Sequence, residues 1–187
     1  MVDVRRNLEE HAAVIAALES KVDVIEAAAA AVVKCLEDGG KVLWMGNGGS
    51  AADAQHMAAE IVGRFVKERP GLPSIALTVD TSILTAVGND YGYDEVFARQ
   101  VRALGDPGDV VVAISTSGNS PNVLKALEAA RDLGMVSVGL TGEGGGKMVD
   151  AVDVLIDVPA TMTARIQEAH LVIEHTICEA VDEAFAG

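Results

Sequence analysis

The sequence predicts an α/β fold: a parallel sheet with helices on both faces. Three observations carry this. Five short runs, at residues 42–45, 75–79, 110–114, 136–140 and 152–158, are apolar on both faces, as doubly buried strands must be. Helical patterns alternate with them, the signature of parallel crossover units. Half of the 187 residues are apolar but only 3% are aromatic, so the core is built from small side chains that let helices approach closely.

Two helical patterns open the chain. Residues 3–17 place Leu8, Ala12 and Ile15 at helical spacing, with charges between them. Residues 22–36 form the second, stopped by Asp38-Gly39-Gly40. Both precede the first strand, and the nearly charge-free run 27–33 is expected to pack against a second copy of the chain. The whole reads as one domain, with residues 1–38 as packing helices and 41–187 as the α/β core. Further helical stretches fall at 50–65, in a broken region at 81–104, at 121–133 and in a short piece at 147–150. A long helix at 163–185 closes the chain. Residues 69–73 read as a loop into the second strand, and 142–146 as a flexible turn after the fourth. Open parallel sheets bind ligands at the carboxyl ends of their strands, so the chemistry is expected just after Met45, Val79 and Ile114.

The net charge of −14 opposes binding to nucleic acid or to an anionic membrane surface. It also repels a phosphorylated ligand at long range, so a phosphate site here must work through local dipoles and hydroxyls. Cys35 and Cys178 sit in apolar helical patterns and read as two buried thiols rather than a disulfide. No apolar signal core and no run of membrane-spanning length is present, and a cytoplasmic location is expected.

The stretch Ile114-Ser115-Thr116-Ser117-Gly118-Asn119-Ser120-Pro121 organises the rest. It follows a strand and offers four hydroxyls, from Ser115, Thr116, Ser117 and Ser120, within six residues. Pro121 suits the first helical position, with Ser120 as a favoured N-cap. Hydroxyls and free N–H groups then converge at the positive end of a helix dipole, a cradle for a phosphate monoester. The loop has no Lys, which excludes the nucleotide P-loop. The alternative is an ordinary polar turn capped by Ser120.

Further candidates follow. Gly46-Asn47-Gly48-Gly49-Ser50 makes a glycine-rich turn after the first strand, with Ser50 as cap of the next helix and Asp53 as its third-position acid. That helix carries His56 and Glu60 four residues apart on one face, a pair able to share a metal or a substrate, or simply to pair with each other. Asn89 and Asp90 suit sugar hydroxyls, or equally a turn that ends a helix. On the last helix Gln167, Leu171 and His175 form one inclined ridge. Gln167 and His175 are about 12 Å apart along the axis, so joint ligation of one ion by both is strained. His170 and His175, taken singly, read as hydrogen-bonded structural residues. Glu168, Glu174 and Glu179 read as a solvated face or as inter-subunit pairs, and His11 as surface.

Taken together, these segments resemble the sugar isomerase (SIS) domain family, and within it the phosphoheptose isomerases. The motifs that carry the resemblance are Gly46-Asn47-Gly48-Gly49-Ser50, His56 with Glu60, Asn89-Asp90, Ser115 to Ser120, and Arg165-Ile166-Gln167-Glu168 followed by His175. It implies a three-layer, flavodoxin-like fold with a five-stranded parallel sheet, a homotetramer, and active sites near subunit contacts. It implies conversion of sedoheptulose 7-phosphate to D-glycero-D-manno-heptose 7-phosphate through an enediol, supplying heptose for lipopolysaccharide or other surface glycans. Ser115, Thr116, Ser117 and Ser120 would hold the phosphate. Asn47, Gly48, Gly49, Ser50, Glu60, Asn89, Asp90 and Gln167 would surround the sugar. Glu60 and His175 would be the catalytic pair, and His56, Glu60, Gln167 and His175 would carry one zinc ion per subunit. Ala164 departs from members with an acid at that position. Two rival readings stay open: a non-catalytic SIS relative that binds the replication initiator, and an isomerase of another phosphosugar. The presence of both Glu60 and His175 favours the enzyme over the binding protein.

Overall fold

The computed structural model describes residues 2–187. Its strands are β1 (Val42–Gly46), β2 (Ser74–Ala76), β3 (Val110–Ile114), β4 (Val136–Thr141) and β5 (Val154–Asp157). All pair in parallel, in the order β2-β1-β3-β4-β5. Alternate side chains divide the core into two layers. Val42, Trp44, Val110, Val112 and Ile114 face one side, and Leu43, Met45, Val111 and Ala113 the other. Helices α2 (Val22–Glu37), α3 (Gly49–Val62) and α7 (Thr163–Phe185) cover the first face. Helices α4 (Thr81–Tyr91), α5 (Val96–Leu104) and α6 (Pro121–Asp132) cover the second. This is the three-layer arrangement expected, with five parallel strands.

Several boundaries moved for local reasons. β2 ends at Ala76, three residues before the expected Val79. Asp80 there caps α4 by accepting from the Ile83 N–H at 2.9 Å, which turns the chain out of the sheet. α3 ends at Val62 rather than Phe65, because Asp182 of α7 takes the backbone N–H groups of residues 65–67. The broken region resolves into α4 and α5, joined by a short 3-10 turn at Tyr93–Glu95.

The two leading helices behave differently. Within the run 27–33 of α2, Ala28, Ala29 and Val32 are buried in the chain's own core, against α7, while Ala27 and Ala30 stay exposed. α1 (Val4–Ala17) instead buries none of its residues and leaves Val4 and Leu8 exposed. Cys35 and Cys178 are free and buried, as read from the sequence.

Candidate active site

Strand order reverses between β1 and β3, whose ends are in register at Gly46 and Ile114. Loops leave these two strands at the switch point of the sheet, the usual ligand position in such folds. Both predicted loops lie here. Their walls are tied by a reciprocal amide pair: Asn47 Nδ2 donates to Asn122 Oδ1 at 3.0 Å, and Asn122 Nδ2 donates to Asn47 Oδ1 at 2.8 Å. Tyr93 Oη adds a donor to Asn47 Oδ1 at 3.3 Å. Neither Asn122 nor Tyr93 was singled out from the sequence. Asn122, one residue past Pro121, was the more findable of the two.

The hydroxyl loop takes a cradle form. Ser120 stands at the N-cap of α6 with Pro121 at the first turn, as expected, but its side chain makes no capping bond. Its Oγ instead lies 2.9 Å from Ser115 Oγ, so the two hydroxyls face each other across the loop. Ser117 Oγ accepts from the Asn119 N–H at 3.2 Å, and Gly118 N–H donates to Ser115 O at 2.9 Å. Gly118 has φ of +63°, and a β-carbon there would fall on the Gly145 carbonyl. The turn after β4, expected to be flexible, therefore packs on the loop. Met148 N–H donates to Gly118 O at 3.2 Å and Lys147 N–H to Asn119 Oδ1 at 3.2 Å. Among the described residues, the N–H groups of Thr116, Ser117 and Ser120 have no protein acceptor. With four hydroxyls and a helix N-terminus, they match the donors an anion needs.

The glycine-rich turn differs from expectation. α3 starts at Gly49 with Gly48 as its cap, so Ser50 is a buried residue inside the first turn and not the cap. The reason is backbone freedom: Gly48 has φ of +59°, which turns the chain into the helix earlier than a side-chain cap would. Gly49 is the close-approach position, for a β-carbon there would collide with the Gln167 amide. Asn89 and Asp90 occupy the last turn of α4, exposed, with Asn89 Nδ2 donating to Asp90 Oδ1 at 2.8 Å.

The expected chemistry lies where α3 and α7 run side by side. His56 Nε2 lies 3.1 Å from Glu60 Oε1, both partly exposed. The His175 ring meets His56 edge-on, with centroids 5.1 Å apart and planes at 82°. Phe65 stacks on His175 at 5.2 Å and 21°. The structure thus brings His56, Glu60 and His175 together. Gln167 is not brought to them: its amide rests on Gly49, two turns of α3 ahead of His56 and about 10 Å along the axis. The sequence spacing had already shown this strain. Two imidazoles and a carboxylate are the donor types zinc takes, and they converge. Among the described residues, though, no three His, Cys, Asp or Glu side chains stand at metal-holding distances as they are.

The profile of the SIS domain matches residues 8–142. A phosphoheptose isomerase of Rhodospirillum rubrum is 58% identical over 163 residues, covering 87% of each chain. One from Geobacter metallireducens is 55% identical over 97% of this chain and 96% of its own. The chain belongs to the phosphoheptose isomerase family of SIS domains. The solved phosphoheptose isomerase of Francisella tularensis superposes with a TM-score of 0.89 at 42% identity, over 98% of this chain and all of its own.

Behind the exposed trio, this SIS domain carries buried polar groups that sequence reading misplaced. Glu174, expected on a solvated face, is fully buried with neither oxygen hydrogen-bonded. Burial, reinforced by the nearby charge of Asp53, pushes its carboxyl up to about 8, so it is protonated at neutral pH. Asp53 is raised as well, by burial, with His56 opposing. His170, one turn before Glu174 in α7, is fully buried and donates from Nε2 to Thr141 O at 3.1 Å. Burial drives it down to about 4, against the opposing effect of that bond, so it is a neutral structural imidazole as expected. His11, expected as surface, is tied to Glu168 at 2.8 Å, and Arg165 reaches Glu168 at 2.6 Å, pinning α1 onto the start of α7.

Proposed function

We propose that this SIS domain interconverts sedoheptulose 7-phosphate and D-glycero-D-manno-heptose 7-phosphate, as the names of its relatives indicate, to supply heptose for surface glycans such as lipopolysaccharide. The observation that carries the reading is the meeting of a partly exposed carboxylate, Glu60, with the imidazoles of His56 and His175. Aldose–ketose isomerisation moves one proton between C1 and C2 and shifts protons on two oxygens. An enediol pathway therefore needs a base on carbon and a proton donor at oxygen. Glu60 takes the carbon proton and returns it to the neighbouring carbon. His175 donates to and accepts from the oxygens, a role suited to an imidazole, whose two ring nitrogens can serve as donor and acceptor. The 115–120 loop binds the phosphate through hydroxyls and N–H groups, which suits a chain whose net charge repels the substrate until it is close. Asn47, Gly48, Gly49, Ser50, Asn89, Asp90 and Gln167 line the sugar.

The donor types at His56, Glu60 and His175 fit one zinc ion per subunit, while Gln167, the fourth expected ligand, rests against Gly49. Bound there, zinc would polarise the substrate oxygens. A homotetramer is part of the same reading, supported by the exposed apolar stripe of α1, and so is a cytoplasmic location, supported by two free thiols. No helix among the described residues is long and apolar enough to cross a membrane. Incubating the purified protein with sedoheptulose 7-phosphate and following aldose formation by NMR tests the assignment. Turnover of a pentose phosphate in its place, or of no sugar phosphate, sinks it.

A further inference from the structure

The segment that follows α3 is held by a buried ion pair which the assigned chemistry does not use. Arg69 Nε donates to Asp182 Oδ1 at 2.8 Å, and both side chains are essentially sealed from solvent, at 0% and 2% exposure. The rest of the guanidinium binds carbonyls at the end of α3 and just beyond it. Nη2 donates to Glu60 O at 2.9 Å, and Nη1 to Ile61 O at 2.8 Å, to Pro70 O at 3.0 Å and to Gly63 O at 3.4 Å. Asp182 completes the grip from α7. Its Oδ2 accepts from the N–H groups of Val66 at 2.6 Å and Lys67 at 2.7 Å, and its Oδ1 from Phe65 at 3.5 Å.

All these bonds converge on residues 60–70. That stretch begins with Glu60 and contains Phe65, whose ring lies on the His175 imidazole. A helix leaves its last carbonyls without partners, and a guanidinium at that end satisfies them and complements the dipole. Stability alone is a weak reason to keep such a pair, because well-packed apolar replacements of buried ion pairs are often neutral or better. Geometry is a stronger reason. His175 is bounded by the face of Phe65 on one side and the edge of His56 on another, so its ring angle depends on where the 63–70 segment sits.

We infer that the Arg69–Asp182 pair and Phe65 are positioning residues of the isomerase site: the pair fixes the backbone after α3, Phe65 transmits that placement to the His175 ring, and Glu60 is held from its own carbonyl. The inference rests on the assignment of Glu60 and His175 given above.

Kinetics and a ring-proton spectrum of His175 test it together. With wild-type turnover of sedoheptulose 7-phosphate established, Phe65→Leu and Asp182→Asn are expected to lower kcat by about 10²-fold while KM stays within about threefold, the signature of a misplaced catalytic group rather than a lost binding contact. Phe65→Tyr, which keeps the ring, should retain wild-type kcat. Both damaging variants should move the NMR shifts of the His175 ring protons. A folded Phe65→Leu protein with wild-type kcat overturns the inference, and so does a folded Asp182→Asn protein with unmoved His175 shifts. Should Asp182→Asn fail to fold, Phe65→Leu decides alone. Should the wild type turn over no heptose phosphate, the functional assignment fails while the ring shifts still judge the positioning role.

Discussion

Replacing His170 by glutamine should remove a defined part of the protein's sensitivity to acid. The imidazole donates from Nε2 to Thr141 O, and its Nδ1 is buried without a partner. A second proton would have to be placed on that bare nitrogen, inside an apolar layer. Burial accordingly lowers the group from 6.5 to about 4. The unfolded chain takes up this proton below about pH 6.5, but the folded chain only below about pH 4. The neutral ring thus contributes stability that is complete above the unfolded value and is lost as pH falls through the folded one. At about 1.36 kcal/mol per pH unit the contribution is about 3 kcal/mol. The glutamine of His170→Gln would offer an amide N–H near the position of Nε2 and cannot ionise. Wild type and variant should differ little at pH 7, and the wild type should then lose about 3 kcal/mol relative to the variant by about pH 4. Urea denaturation reports this through Trp44, the single tryptophan, which is fully buried. Protein concentration must be held constant, since assembly shifts apparent stability. Parallel losses of stability in the two proteins across this pH range would refute the argument.

Other outcomes follow from the same geometry. Glu60→Gln should abolish turnover while isothermal titration still detects substrate binding; wild-type turnover would remove Glu60 from its role. Ser117→Ala combined with Ser120→Ala should weaken substrate binding by about tenfold or more, at about 1 kcal/mol for each lost hydrogen bond, and unchanged affinity would place the phosphate elsewhere. His56→Ala should lower the zinc content of protein purified in zinc, read by atomic emission, whereas full retention would exclude His56 as a ligand. Glu174→Gln should stabilise the protein increasingly from about pH 5 to 8, because the raised carboxyl of the wild type is favourable while protonated and loses that advantage as pH climbs toward about 8. A pH-independent difference in urea midpoints would contradict the buried-acid reading.

What could be read from the sequence and what could not divide along a physical line. Apolar runs declare strands because burial on both faces leaves no polar positions, and β3 was read to the residue. The hydroxyl loop after β3 was legible because its donors lie close together in sequence. So was the His56–Glu60 pair, since helical spacing alone joins residues four apart. His175 could be named only through the family resemblance, for nothing local distinguishes it from His170. The misplaced residues share another trait: each is polar, with its partner or its burial supplied by a distant segment. Glu174 looks like a surface acid on a helical wheel until α3 brings Asp53 beside it. Gln167 looks like a ligand beside His175 until Gly49 gives its amide room. Arg69 reads as part of a Pro-Gly loop until Asp182, 113 residues later, closes on it. Such groups are stable only because the tertiary structure offsets their desolvation, and local pattern holds no trace of that. The same reasoning locates function. In this fold a polar side chain kept dry at a cost, yet aligned with Glu60 or His175, is where an effect on catalysis should be sought first, ahead of exposed charges that water already satisfies.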